Sequence, residues 1–359
     1  MRGKAGPRVV KKLAWRIGWG SAPILFSALL GCSWKDVFPA HSATIANAEA
    51  VDRALRLCSL SAGEEPFHLV LEVTPPPDVH GSGFRDMRAQ IEVFWLNSVS
   101  YRTDIRSRDF SQTRIVNGRI VEEHDTGDFY PRWIQNFVEA ILEPIPRVDQ
   151  LRKVPGSVPI GVQEHACISS DSAQICFQDA EPRIATGSGP SRSIWFDDFA
   201  PFGQKQIART LVDNLPGNLL LRGHIVLLSP LSLSDYPLLK AREYTPDEKL
   251  IRTELVSQST ADSLIQMDAA GFEGSLHSIA VERGAARLGT PVAQSSVGES
   301  PVIVHIRTDR TGRVREAYAE GSGEGLAQDA ALIRALALRF KPLIVGGVPR
   351  QMEAAISVP

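Results

Sequence analysis

Apolar and polar residues alternate with a period of two in stretch after stretch of this chain, and that alternation excludes an all-helical fold. Phe67, Leu69, Leu71 and Val73 are separated by His68, Val70 and Glu72. Successive side chains of a strand point to opposite faces, so this pattern describes a strand with one face in a core. Ile91-Glu-Val-Phe-Trp95 and Tyr101-Arg-Thr-Asp-Ile-Arg106 continue it. Within 113–121, Asn117-Gly118 stands between two β-branched runs. That pair suits a type I′ hairpin, with positive φ at both turn positions. Further strands are expected at 166–169, 174–177, 193–199 and 224–228. Helical spacing interrupts twice. Pro131 opens a segment, Arg132 to Leu142, with Trp133, Phe137 and Ile141 on one face. Earlier, Ile45, Val51, Leu55 and Cys58 mark the apolar side of a helix. The expected class is α+β, a strand-rich body over 45–235 with flanking helices.

The first 32 residues have a different character. They hold six basic residues and no acid, then Ala22-Pro-Ile-Leu-Phe-Ser-Ala-Leu-Leu-Gly31 and Cys32. A basic flank, a short apolar core and small residues at its end fit a secretory signal. Leu29-Leu-Gly-Cys32 also resembles a bacterial lipobox, which implies lipidation at Cys32, with Ser33 directing the product to the outer membrane. Two alternatives stay open: a retained inner-membrane anchor over 17–34, or ordinary cleavage after Ala46-Asn-Ala48. All three place the body in the periplasm, associated with a membrane in the first two cases. The rest of the chain carries 33 basic against 41 acidic residues. An acidic body is a poor partner for nucleic acid, whose phosphates require a basic face.

Cys167 and Cys176 flank Ile168-Ser-Ser-Asp-Ser-Ala-Gln-Ile175. Symmetric placement about a turn puts them on opposite strands of a hairpin, within bridging reach, and an exported domain is where a disulfide persists. Cys58 is left over as core.

Gln90-Ile-Glu-Val-Phe-Trp95, Tyr101-Arg102, Phe110-Ser-Gln112 and Ile115-Val-Asn-Gly118 resemble the periplasmic lipoprotein-carrier and sensor group, the LolA/LolB-like half-barrels. That resemblance implies a curved sheet over 45–235 whose apolar concave face cups acyl chains. The competing expectation is that Phe94, Trp95, Trp133, Trp195, Phe196 and Phe199 are simply core.

Residues 236–295 show little pattern and are expected to form an irregular linker. After it, Val302, Val304 and Ile306 alternate with Ile303, His305 and Arg307. Thr308-Asp-Arg-Thr-Gly312 supplies a turn, and Val314–Ala319 returns as a second strand. Leu326, Ala330, Ile333, Ala337 and Phe340 draw one helical stripe, which Pro342 stops. Met352, Ala354, Ile356 and Val358 face one way on a last strand. The order over 296–359 is β-β-α-β.

That segment resembles the C-terminal domain of the TonB energy-transducer family. Asp309, Gly312 and Val314 match the family's hairpin. Arg339-Phe340-Lys341-Pro342 matches its hallmark, and Gly347 and Pro349 match the turn into the final strand. The resemblance implies a periplasmic module that binds a peptide strand of an outer-membrane transporter or another envelope protein. The family's Tyr-Pro motif before the first strand is missing, as are a His in the N-terminal apolar segment and a long Pro tract. A TonB-like adaptor therefore fits better than energy transduction.

Catalytic chemistry finds no footing. The eight histidines are scattered without HExxH or CxxC, so no metal site is expected. Gly321-Ser-Gly-Glu-Gly325 lacks the Lys-Ser/Thr ending of a phosphate loop. Asp197-Asp198, adjacent on a strand, should face opposite ways, and Glu122–Asp125 reads as a solvated strand end. No catalytic residue and no cofactor is expected. The leading expectation is a non-enzymatic binding module joined to a membrane by lipid or anchor. The rival is a lipid or lipoprotein carrier, with a lipid ligand in the body; a third is an envelope scaffold. A carrier requires an apolar cavity in 45–235, and a binding module requires a filled core.

Overall fold

The computed structural model describes residues 43–63, 65–75, 87–160, 165–178, 181–189, 192–215, 219–267, 301–319 and 326–358. Cys32 and the whole N-terminal segment lie outside these residues, as do the glycines of 321–325. Among the described residues no helix is long and apolar enough to cross a membrane.

The chain opens with β1 (Ala43–Ala46) and α1 (Asn47–Cys58). A meander follows: β2 (Phe67–Thr74), β3 (Ala89–Asn97), β4 (Ser100–Ser107), β5 (Ser111–Asn117) and β6 (Ile120–Thr126). Then come α2 (Arg132–Leu142), α3 (Val148–Arg152) and β7 (Ser157–Ile160). A second meander is built from β8 (Ala166–Ser169), β9 (Gln174–Gln178), β10 (Arg183–Gly189), β11 (Arg192–Phe202), β12 (Lys205–Leu215) and β13 (Leu219–Pro230). Because β13 pairs with β2, the two meanders join into one eleven-stranded antiparallel sheet, β6-β5-β4-β3-β2-β13-β12-β11-β10-β9-β8. The α+β class, with one large sheet and few helices, is as the alternation implies.

One face of this sheet holds the larger core. Phe67, Leu69, Leu71 and Val73 stand opposite Trp95, Val93, Ile91 and Ala89 in register, all buried. The helix at 132–142 has the bounds its periodicity implies. Trp133, Phe137 and Ile141 lie in the same core. Gly223 shows how close the packing is: a Cβ there would sit 2.8 Å from the Phe137 ring and 3.1 Å from a Leu71 methyl. In α1, Ala50, Val51 and Ala54 are buried; Ile45 belongs to β1, which pairs with β7. Cys58 is half-buried, and burial pushes its thiol up to about 11, which keeps it unreactive.

Cys167 and Cys176 form a disulfide directly across the β8–β9 hairpin. So short a loop constrains the unfolded chain by only about 2–3 kcal/mol. Mild reduction should therefore lower the melting temperature by a few degrees and leave the body folded; loss of all structure on reduction would contradict this.

The β5–β6 hairpin differs from its expected form. Asn117 pairs with Ile120, so Gly118-Arg119 is the two-residue loop. Gly118 takes positive φ (62°) and Asn117 does not, so the glycine occupies the first central position, as in a type II′ turn. Its N–H donates to Val99 O of the neighbouring turn at 2.7 Å. That bond ties the β5–β6 loop to the β3–β4 turn.

The segment expected to be an irregular linker is ordered over its first part. A 3-10 turn (Leu233–Leu239) is capped by Ser232 and Asp235. The chain then runs beside β6, where Thr245 N–H donates to Val121 O and Thr245 Oγ1 accepts from Glu123 N–H. This covers the edge of the large sheet, which would otherwise be open to pairing. A 3-10 turn (Asp247–Lys249), β14 (Thr253–Leu255), α4 (Gln258–Leu264) and β15 (Ile265–Met267) follow. They belong to the C-terminal module. Its other elements are β16 (Val302–Thr308), β17 (Val314–Ala319), α5 (Leu326–Ala337), β18 (Arg339–Phe340), β19 (Leu343–Val345) and β20 (Val348–Val358).

The sheet order in the module is β14-β20-β16-β17, with β19 also on β20. The β-β-α-β succession is present, but its helix turns a different face inward. Ala331, Leu332, Ala335 and Leu336 are buried, whereas Ala330, Ile333 and Ala337 are half-exposed. The helix ends at Ala337, five residues before Pro342. Phe340 is core, yet it enters from β18, paired with Ile265 of β15.

Candidate functional site

Five neighbouring strands, β3, β2, β13, β12 and β11, present one apolar surface about 20 Å across. Its cross-strand rows read Ile91, Leu71, Ile225, then Phe196, Leu211, Gly223, then Ile194, Asp213, Leu221. Helices α1 and α2 cover it. Leu69, Leu71, Ile91, Val93 and Phe137 have 0% exposure, so no water-sized void touches them. The face is filled by the chain's own helices. Of the aromatics weighed as core, Trp95, Trp133 and Phe196 are in it. Phe94 is buried on the opposite face, Phe199 is half-buried beneath Arg183, and Trp195 is 45% exposed on that opposite face.

Charged residues interrupt this surface, with Asp213 at its centre. Asp213 lies between Ile194 and Leu221, fully buried, and its Oδ2 accepts from Asn136 Nδ2 of α2 at 2.8 Å. Its Oδ1 and Asn136 Oδ1 have no hydrogen-bond partner. Arg192 stands nearby on β11, buried, and donates to Glu143 O at the C-terminal end of α2, with Glu139 Oε2 3.7 Å away. Helix α2 is thus apolar along its sheet-facing stripe and carries a polar seam beside it. Burial raises the Asp213 carboxyl to about 7, against the lowering effects of the Asn136 hydrogen bond and of Arg132 and Arg192.

Between about pH 4 and 7 the folded chain binds a proton at Asp213 that the unfolded chain has lost, so stability falls as pH rises through that window. Asp213→Asn keeps an acceptor for Asn136 and removes the charge. It should stabilise the protein by about 2–4 kcal/mol at pH 8 and change little at pH 4. Urea midpoints at both pH values check this; an unchanged pH slope in the variant would contradict it.

A second buried polar cluster joins the module to the edge of the large sheet. The Glu123 carboxylate accepts from Gln112 (3.1 Å), Arg114 (2.9 Å) and both terminal nitrogens of Arg252 (2.7 and 3.2 Å). Asp125 accepts from Gln112 and from Ile251 N–H, and burial raises its carboxyl.

The residues that carry the TonB-like resemblance mostly build the module. Asp309 Oδ1 accepts from Thr311 and Arg313 N–H and so closes the β16–β17 turn. Gly312 has φ 84°, and a Cβ there would lie 2.0 Å from Phe340 O. Val314 and Phe340 are core, Arg339 shares β18, and Lys341 and Pro342 are exposed. Gly347 (φ 83°) turns β19 into β20, where Pro349 faces Ile344. β20 pairs with β14, in parallel, over 351–353 and with β19 over 348–350. A peptide strand added over 348–353 would have to displace them.

Asp197 and Asp198 are both exposed; Asp198 has positive φ (55°), and its N–H donates to Asp197 Oδ1. Nothing in the sequence points to Asp213, Asn136, Arg192 or Arg252, and the strand end at 122–125, expected to be solvated, instead buries Glu123. The usable signal is a charged residue at an inward position of an alternating strand: Ile207, Leu211, Asp213, Leu215.

No protein-family description matches the chain, and no curated protein matches it. Among solved structures, one similar chain is a LolA superfamily protein from Nitrosomonas europaea, 9% identical, with a TM-score of 0.34, covering 55% of this chain and 98% of that one. Another is a DUF1329 family protein from Desulfovibrio piger, 9% identical, with a TM-score of 0.33, covering 54% of this chain and 97% of that one.

Proposed function

We propose that the chain is a periplasmic carrier or sensor of acyl chains, lipid or lipoprotein, that holds its ligand against the apolar face of the large sheet. The observation that carries this is the cover of that face. Helix α2 packs Trp133, Ile134, Phe137 and Ile141 onto it, yet seats a buried carboxylate, Asp213, in the same interface. A helix held for stability alone would gain from an apolar residue at that position, because a desolvated charge weakens the packing. A cover that must lift benefits from a weak seam. In this reading the filled face is the ligand-free state, and α2 occupies the place of the acyl chain.

The ligand is recognised through dispersion and burial, so chain length matters more than headgroup. Binding of a fluorescent fatty acid to the purified protein tests the reading. Saturable binding that weakens on Leu211→Asn, in the sheet face itself, and survives Trp195→Ala supports it; binding that responds only to Trp195→Ala, on the opposite face, refutes it. TonB-related strand addition is the weaker proposal for the module, since β14 and β19 already pair with β20 over 348–353.

A further inference from the structure

Helix α2 begins without a cap of its own. Its N-cap is Pro131, which makes no side-chain cap hydrogen bond, and its first turn holds no acidic residue. Exposed N–H groups at a helix start are normally satisfied by a nearby side chain. Here the C-terminal module supplies what is missing. Glu316 Oε1 of β17 accepts from Arg132 N–H at 3.0 Å, and puts a carboxylate at the positive end of the helix. Gln351 of β20 holds Tyr130 from both sides, accepting from its N–H at 2.6 Å and donating to its O at 3.5 Å. Arg310 adds its N–H to Asp128 O and its guanidinium to Gly127 O at 3.0 Å. Phe129 lies under the guanidiniums of both Arg307 and Arg315, at 5.6 and 5.4 Å.

Every one of residues 127–130, and the first residue of α2 at 132, is therefore gripped by the module. The module is also fixed independently, through Arg252 on Glu123 and Ile251 N–H on Asp125 at the sheet edge. It can let go of residues 127–132 without leaving the body.

We propose that the C-terminal module is the latch of α2: while it grips residues 127–132 the helix stays on the sheet, and lifting it off frees the helix to swing away. The regulation it describes rests on the acyl-carrier reading, but the mechanical coupling does not.

Hydrogen exchange on the full chain tests the latch. In the double variant Glu316→Ala/Arg310→Ala, amides of 136–142 should exchange about five- to tenfold faster, the effect of a lost cap and its neighbours. Amides of 302–308 and 352–358 should keep their protection, which shows that the module is still folded. Unchanged exchange in α2 would overturn the proposal. So would exchange that rises equally in the module's strands. A fluorescent fatty acid added to both proteins separates the two claims: faster α2 exchange with no fatty-acid binding by either protein upholds the latch and removes the carrier reading alone.

Discussion

Phe340→Ala is expected to unfold the C-terminal module. The ring is 1% exposed and packs among Val304, Ile306, Val314, Leu336 and Ile356 in the smaller of the two cores. Truncating a buried phenylalanine removes its transfer energy and leaves a cavity, about 3–5 kcal/mol together. A module with so few core residues has little more stability than that. Two local features add to the loss. Phe340 N–H donates to Gly312 O, and its carbonyl lies against Gly312, so the β16–β17 turn leans on β18. Lys341→Ala serves as the control, because its side chain is exposed and its hydrogen bond to Leu264 O is made by the backbone. That change should stay below about 0.5 kcal/mol. Hydrogen exchange of 302–308 reads the module directly. Wild-type protection in Phe340→Ala would contradict the packing described.

The second large effect is expected at Glu123. Its side chain is fully buried, and it is the shared acceptor of Gln112, Arg114 and Arg252. Removing one member of a buried ionic cluster leaves the others desolvated and unpaired, which costs about 3–5 kcal/mol. Both guanidiniums keep some contact with water, so Glu123→Ala should fall near the lower end, about 3 kcal/mol. The loss should couple the two parts of the chain, since Arg252 leads into β14. Glu123→Ala/Arg252→Ala should be clearly less destabilising than the sum of its singles. Urea denaturation of the three variants measures this. A Glu123→Ala midpoint equal to wild type would mean that the cluster does not hold the edge.

Much of this architecture is legible in the residues. Period-two alternation marks β2 through β6, and the spacing of Trp133, Phe137 and Ile141 gives α2 its bounds, because each of these elements has one apolar and one polar side. Where both sides are apolar, the pattern stops deciding. Helix α5 carries Ala or larger apolar residues at 330–333 and 335–337, so two faces satisfy helical spacing, and the contact with β16 and β17 selects the one through Ala331 and Leu332. Phe340 continued that spacing by coincidence; the chain has already left the helix.

Residues 240–252 have no periodicity for another reason. They cover the β6 edge with irregular backbone whose hydrogen bonds go to Val121, Glu122, Glu123 and Asp125, partners more than a hundred residues away in sequence. The polar seam of the candidate site is hidden similarly. Asp213 gains its character from lying beneath Asn136, a contact that only the folded chain creates.

The proposed ligand site is the apolar face beneath α2. A photoactivatable fatty acid, cross-linked to the purified protein and mapped by mass spectrometry, tests it most directly. Label is expected on 133–141 of α2 and on the inward residues of β2, β3 and β12, such as Leu71, Ile91 and Leu211, with labelling increased in Glu316→Ala/Arg310→Ala. Label confined to Trp195, Leu220, Val226 and Leu227 on the opposite face would contradict it, as would no saturable label at all.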